Sequence, residues 1–472
     1  MQLVAYGAQD VYLSGNPQIT FFKIVYRRHT NFAMESIEQV FNGQADFGKK
    51  VTATVSRNGD LVSRVFLRVE LPDVIVPAMA GTQSSVQFRW LNWIGHALID
   101  YVEVEIGGQR IDRHYGDWLH IWAELTQTAG HQIGYANMCG NIPSLTSVVN
   151  ATAASKTMAG EILWIPLEFW FCTNPGLALP LIALQYHEVK INLSLNAASA
   201  CYWAGETITP ALSTATPSTR MSAVNVGSLK SASLFIDYVY LDTDERRRFA
   251  QAAHEYLITQ LQFTGAESTN QGTYKSRLNL NHPVKEIIWV VQPEDYTNNA
   301  DSTQPLYGKQ WFNYTDAVDV SYAQTFSAAL ASLVNIDAVP GVAAGGANGV
   351  FLPAFFDGGA NPIQTAKIQL NGHDRFSERD GRYFNLVVPY MCHENVPSKG
   401  INVYSFALKP EELQPSGSCN MSRIDNATLS IALTDNTWKT GGTTRNASLR
   451  VYAVNYNVLR IMSGMGGLAY SD

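Results

Sequence analysis

Asp112, His114, Asp117 and His120 form the tightest group of side chains in this sequence that could hold a metal. Carboxylates and imidazoles suit zinc, manganese or iron. Residues three apart share a helix face, so His114 can meet Asp117, and Asp117 can meet His120. No further ligands stand in sequence with them. The ten histidines never form HxH or HExxH, so the group reads as surface hydrogen bonding and no metal is expected. Other reactive patterns also fail. No serine lies in a GxSxG elbow. Glu411 and Glu412 follow Pro410 in a polar stretch and read as solvated. Gly464, Gly466 and Gly467 lack a strand–turn–helix context, so they predict a flexible tail rather than a phosphate loop. Arg246–Arg248 is a short basic run better matched to nearby acids than to nucleic acid. No catalytic residue and no cofactor is assigned, and the chain is not expected to be an enzyme.

The side chains open to modification are asparagines. Asn150, Asn192, Asn313, Asn420, Asn426 and Asn446 each begin an Asn-x-Ser/Thr sequon, which matters only where a glycosylation machinery meets the chain. Asn192 lies within a strand pattern and is a poor acceptor. Asn313 and Asn446 fall in loop segments and are the candidate glycosylation sites.

Composition narrows the class. The chain has 472 residues, 46% hydrophobic and only 15% charged, with a net charge of −7. Such a chain has material for large cores and no global drive to coat nucleic acid. Low charge also suits a protein that hides surface in an assembly. The start, MQLVAYGAQD, has no signal-peptide character, and no stretch approaches a membrane span. Five scattered cysteines without a CxxC pair fit free thiols in a reducing compartment.

The elements that position these residues are mostly strands. Val65, Leu67, Val69 and Leu71 alternate with polar or aromatic neighbours, as do Val102, Val104 and Ile106 against Glu103 and Glu105. Val189, Ile191, Leu193 and Leu195 repeat the pattern. Period two with one polar face means antiparallel sheets covering a core. The chain is also weakly duplicated. VEIGGQR at Val104 matches IQLNGHDR at Ile368; VKINLSL at Val189 matches ATLSIAL at Ala427; and ASL at Ala232 matches ASL at Ala447. Three pairs in the same order imply two copies of one sandwich, the first with longer insertions after its glycine turn. Asp242 with Glu245 three residues on resembles a capping box and starts a short helix at the junction. A second helix is expected over Tyr115–Thr126, its Trp118, Ile121, Trp122 and Leu125 stripe packing on the sandwich core. Residues 196–231 and 293–365 read as long loops.

Several blocks resemble one known family. LVAYGAQDVYLSGNPQITFFKIVYRRHTNF, SRNGDLVSRVFLRVELP, IGGQRIDRHYGDW, PGLALPLIALQYHEVKI, FIDYVYLDTDERRRFAQ, QPSGSCNMSRIDNATLS and NYNVLRIMSGMGGLAY run from one end of the chain to the other. They are similar to the major capsid proteins of the large icosahedral nucleocytoplasmic double-stranded DNA viruses, the algal-virus branch in particular. The resemblance implies an all-β fold of two consecutive eight-stranded antiparallel jelly-roll sandwiches with short connecting helices. The expected organisation is an N-terminal arm (1–26), a first jelly roll (27–241), a junction helix (242–253) and a second jelly roll (254–472). It also implies homotrimeric, pseudo-hexagonal capsomers tiling an icosahedral outer shell, assembled in the host cytoplasm. Neighbouring capsomers and minor capsid and penton proteins are the expected partners. No direct nucleic-acid contact is expected, and an inner membrane would be reached only through minor proteins. Residues 293–365 would project outward. A metal-dependent jelly-roll enzyme needs ligand sets that are missing here. A carbohydrate-binding protein needs aromatics free of the strand and helix patterns that hold most of these.

Overall fold

A computed structural model describes residues 5–18, 22, 24, 26–78, 85–151, 153–207, 224–297, 309–317, 359–440 and 442–470. Eight strands build the main sheets of the first half: β1 (Phe32–Val40), β2 (Lys50–Thr54), β3 (Leu61–Glu70), β4 (Ile99–Ile106), β5 (Gln109–Tyr115), β6 (Ile162–Pro166), β7 (Val189–Leu195) and β8 (Ser231–Leu241). Eight more build the second: β9 (His254–Thr269), β10 (Thr273–Leu278), β11 (Pro283–Pro293), β12 (Ile363–Leu370), β13 (His373–Asp374), β14 (Ile401–Ser405), β15 (Ala427–Leu433) and β16 (Ala447–Met462). Strands β1–β8 form the two main sheets of the first half, ordered β1-β8-β3-β6 and β2-β7-β4-β5, with smaller sheets in its connections. The second forms β9-β16-β11-β14 and β10-β15-β12-β13. Adding eight to each number of the first pair gives the second, so both halves have one jelly-roll topology.

The three sequence matches fall on equivalent strands of this plan. The first lies at the β4–β5 and β12–β13 hairpins, the second on β7 and β15, the third on β8 and β16. Both hairpins close on two residues with positive φ: Gly107 and Gly108 at 58° and 87°, Asn371 and Gly372 at 51° and 80°. That is the turn whose twist matches paired strands. Within each half the alternating residues face inward. Val65, Leu67, Val69, Val104, Ile191, Leu234 and Ile236 are buried together in the first core, as are Ile287, Trp289, Ile368, Leu429 and Val451 in the second.

In an antiparallel roll, alternate connections leave from opposite ends. The connections that follow β3, β5 and β7 therefore leave from one end of the first roll, and those that follow β11, β13 and β15 leave from the corresponding end of the second. The arm before β1, the helix α1 (Thr243–Gln251) and the tail after β16 lie at the base. Phe32 pairs with Leu241, which sets the root of the arm beside the start of α1. Asp242 caps α1 by accepting from the Thr243 N–H; the reciprocal bond of a capping box to Glu245 is not formed. Arg246 turns to Asp60 at 3.1 Å.

Two loop expectations are corrected. Part of 196–231 is a strand, Tyr202–Thr207, which pairs with Ser85–Trp90 in a small sheet of its own. The glycine-rich tail is ordered: Met465–Leu468 folds back along Leu459–Met462. Most of the expected projection over 293–365 lies outside the described residues.

Candidate functional site

The feature that most distinguishes this chain from two independent sandwiches is the joint between its rolls. After β5 the chain enters helix α2 (Gly116–Thr126), with Tyr115 as its N-cap. Trp118, Ile121 and Leu125 are buried on one side of it, as the spacing predicts. Their partners, however, belong to the other roll: Ile288 and Val290 of β11, Val403 of β14, and Tyr452 and Val454 of β16. The stripe covers the outer face of the second roll's sheet rather than its own sandwich core. Aromatic rings run across the contact, with Trp118 5.6 Å from Tyr452 and Tyr115 5.0 Å from Phe263.

Polar groups lock the register. Arg450 of β16 binds Asp117 and Gln292; burial lowers its pKa from the ordinary arginine value. The Asp112 carboxylate accepts from the Leu261 N–H at 3.1 Å and pairs with His114 at 3.0 Å. Glu124 accepts from the Ser398 N–H at 3.2 Å, and the Asn395 amide donates to the Glu124 carbonyl at 2.9 Å. Burial raises the Glu124 pKa. At the base, His187 contacts the Gly466 carbonyl at 3.0 Å and the Tyr186 N–H donates to Gly464. At the loop end, the Trp311 indole donates to the Ala200 carbonyl at 2.8 Å. The rolls are therefore fastened at both ends and along the middle, with their loop ends on the same side.

The four supposed ligands are thus distributed. Asp112, His114 and His120 are buried, not at the surface: Asp112 against Leu261 of the second roll, His114 stacked on Phe169 of its own roll at 4.7 Å, and His120 between first-roll rings and Phe312. Asp117 is committed to Arg450. His120 lies in an aromatic box with Trp93, His96 and Phe312. Burial lowers the His96 pKa to about 3, and burial plus the neighbouring His96 lowers that of His120 well below its usual value. Among the described residues, no group of three or more His, Cys, Asp or Glu is arranged to hold a metal. Glu411 is also not the solvated residue its neighbours imply. It pairs with His393 at 2.7 Å, and His393 meets the buried Glu286 at 2.9 Å. Burial opposes charge on His393, but the two carboxylates outweigh it and raise its pKa to about 9. Nothing in the sequence signals this triad, since Glu286 is more than a hundred residues from His393 and Glu411 and none of the three sits in a motif.

The sequons differ in access. Asn192 donates to Glu103 and Glu105, each at 3.1 Å. Asn313 is half-buried and its amide donates to the Gln310 side chain at 2.7 Å and the Ala317 carbonyl at 2.9 Å. Asn446 is exposed next to the start of β16.

Outside the joint, the chain leaves apolar surface uncovered. Tyr12, Leu13 and Phe22 of the arm are 87–94% exposed, and Met34 faces outward from the edge strand β1. Leu386, Val387, Tyr390 and Met391 form a further patch. Monomeric soluble proteins seldom expose contiguous patches of this kind, which mark interaction surfaces.

Comparison with known proteins fits a protein built to be covered. Residues 20–242 match the family described as major capsid protein N-terminus, and 245–467 match the large eukaryotic DNA virus major capsid protein. The two matches meet at α1. The chain belongs to the major capsid proteins of large eukaryotic DNA viruses. The major capsid protein of Phaeocystis pouchetii virus is 51% identical, with 100% of this chain and 99% of that protein covered. A chain of the quasi-atomic PBCV-1 virus capsid is 37% identical, with a TM-score of 0.65 over 96% of this chain and 100% of that one. The Faustovirus major capsid protein shares only the fold, at 14% identity and a TM-score of 0.71 over 97% of this chain and 94% of that one. This major capsid protein is a double jelly roll and a structural component of the virion capsid.

Proposed function

We propose that this major capsid protein assembles as a homotrimer whose six rolls give a pseudo-hexagonal capsomer, and that these capsomers tile an icosahedral shell. The observation carrying this reading is the pair of like rolls fixed side by side by a buried joint. Three copies of a two-wedge subunit present six similar wedges, so a threefold oligomer fills a sixfold lattice position. The organisation that goes with it is an arm (1–26), a first roll (27–241), a junction (242–253) and a second roll (254–472). The exposed apolar arm at the base suits contact with minor capsid proteins on the inner side. Penton proteins and neighbouring capsomers would meet the sides. The net charge of −7 argues against direct genome contact, and an inner membrane would be reached through the minor proteins. Assembly in the host cytoplasm and the absence of enzymatic activity belong to the same reading. Of the two candidate glycosylation sites, Asn446 is open to a transferase, whereas Asn313 must first release its two amide bonds.

Light scattering on the purified protein at micromolar concentration tests the oligomer. A mass three times the 52.0 kDa chain is expected; a monomer under these conditions contradicts the proposal.

A further inference from the structure

The joint within the chain is built mainly from two different surfaces, one from each roll, with Val388 on the inner side of the second roll's helix adding to the same cluster. The first roll contributes its helix α2, inserted between β5 and β6. The second contributes the outer face of its β9-β16-β11-β14 sheet. What remains is the reverse pair. The second roll has its own helical segment at the equivalent position between β13 and β14, formed by Tyr383–Val387 and Val388–Cys392. Phe384, Asn385, Val388 and Pro389 bury its inner side. Its outer side carries Leu386, Val387, Tyr390 and Met391, which are 43%, 43%, 78% and 58% exposed. The pairs 386/390 and 387/391 are one helical turn apart and share a face. The first roll has the matching sheet face, on β3, β6 and β8. Phe66, Trp164 and Phe235 stand there half-buried, with the Trp164 and Phe235 rings 4.7 Å apart. Register confirms that they share a side: Phe235 is opposite Phe66, and Trp164 is opposite Arg68.

We propose that the second-roll helix of one copy packs, through Leu386, Val387, Tyr390 and Met391, on the Phe66–Trp164–Phe235 face of the first roll of the next copy. The occupant is a second copy of this chain, because the chain already shows how such a helix and such a sheet fit together. Repeating the internal joint between copies is a heterologous contact, which closes into a ring when the rotation per step divides a full turn. Three copies then place six rolls in the ring with every helix and every sheet face covered. The loop ends stay on one side, as they do within the chain. Charge supports the match. In the internal joint Asp117, in the first turn of α2, meets Arg450 of the sheet. Asp380 precedes the uncovered helix, and Arg64 stands exposed on the uncovered sheet, beside Arg68, which is paired with Glu70 at 3.6 Å.

This rests on the trimer reading and names its interface. The test places a benzophenone amino acid at position 390 in a mixture of unlabelled and ¹⁵N-labelled full-length protein, with irradiation and peptide mapping. Mixed-isotope cross-links to 61–70, 162–166 or 231–241 are expected. Cross-links from a trimer to any other region overturn the interface and leave the trimer standing. A wild-type protein that does not form trimers overturns both. A paired variant, Tyr390→Asp with Met391→Asp, is expected to weaken trimer association by roughly 100-fold without lowering the melting temperature of the separated chain. Leu408→Asp, an equally exposed apolar site away from this face, is expected to leave association unchanged. Equal weakening by Leu408→Asp, or none by the paired variant, contradicts the assignment.

Discussion

Strands β3 and β11 hold the same place in the two rolls, yet their residues obey different rules. In β3, LVSRVFLRVE, buried Val65, Leu67 and Val69 alternate with more exposed Arg64, Phe66, Arg68 and Glu70. In β11, PVKEIIWVVQP, every residue after Pro283 is buried. Ile287, Trp289 and Val291 face the second core, while Ile288 and Val290 face helix α2 of the first roll. Alternation marks a sheet with one face covered by its own chain; an unbroken apolar run marks a sheet covered on both. The difference between like strands thus records which roll supplies a helix and which receives one. It also singles out the β3 face as the one left for another copy.

If β11 is two-sided because α2 covers it, removing the cover should cost most. Trp118→Ala is expected to destabilise the folded chain by about 3–5 kcal/mol, read from denaturant unfolding, while Trp164→Ala on the open β3 face should cost the isolated chain far less. Equal losses would erase the contrast. Asp117→Asn leaves Arg450 without its carboxylate at the edge of the same contact and should cost about 3 kcal/mol. A denaturation midpoint unchanged by this substitution would remove Arg450 from the account.

The two glycine turns sharpen the comparison at a smaller scale. A Cβ at Gly107 would lie 2.3 Å from the His187 ring, which is held against the C-terminal tail, whereas one at Gly372 meets nothing within 4 Å. Gly107→Ala is expected to cost about 2 kcal/mol or more, and Gly372→Ala about 1 kcal/mol for the left-handed backbone alone. Comparable melting-temperature shifts would show that the tail does not crowd the first turn.

A further contrast appears in acid. His96 is neutral in the fold because burial depresses its pKa to about 3, below the unfolded value near 6.5. Its contribution is therefore complete above pH 6.5 and declines as pH falls towards 3. Replacing it by His96→Gln should flatten the pH dependence of unfolding free energy between pH 6 and 4 by about 1.4 kcal/mol per unit. His393 has the opposite sign. Its pKa is raised to about 9, so its contribution is complete below 6.5 and fades as pH rises through 9. An acid slope unchanged in His96→Gln would show that another group carries it.

Much of this architecture is legible in the sequence because strand periodicity and the duplicated hairpins are local signals. The Asn371-Gly372 and Gly107-Gly108 turns announce themselves, and the Trp118 stripe announces a helix. What lies against that stripe does not. Trp118 and Tyr452 are brought together only by the packing of one roll on the other, so the stripe was read as covering its own core. His120 is covered in the same way by Phe312, whereas His114 is covered by Phe169 of its own roll; neither contact has a local signal. The buried Glu286–His393–Glu411 triad had no signal at all, since each member is polar in an unremarkable local setting.

The central claim is that two like rolls, locked at a fixed angle within one chain, make a threefold oligomer look sixfold. Class averages from electron microscopy of the purified protein, viewed down the symmetry axis, test it most directly. The expected image is a ring of six similar lobes that superimposes fully on itself only after a rotation of one third of a turn. A three-lobed particle, a two-lobed one, or single subunits with no ring would contradict it.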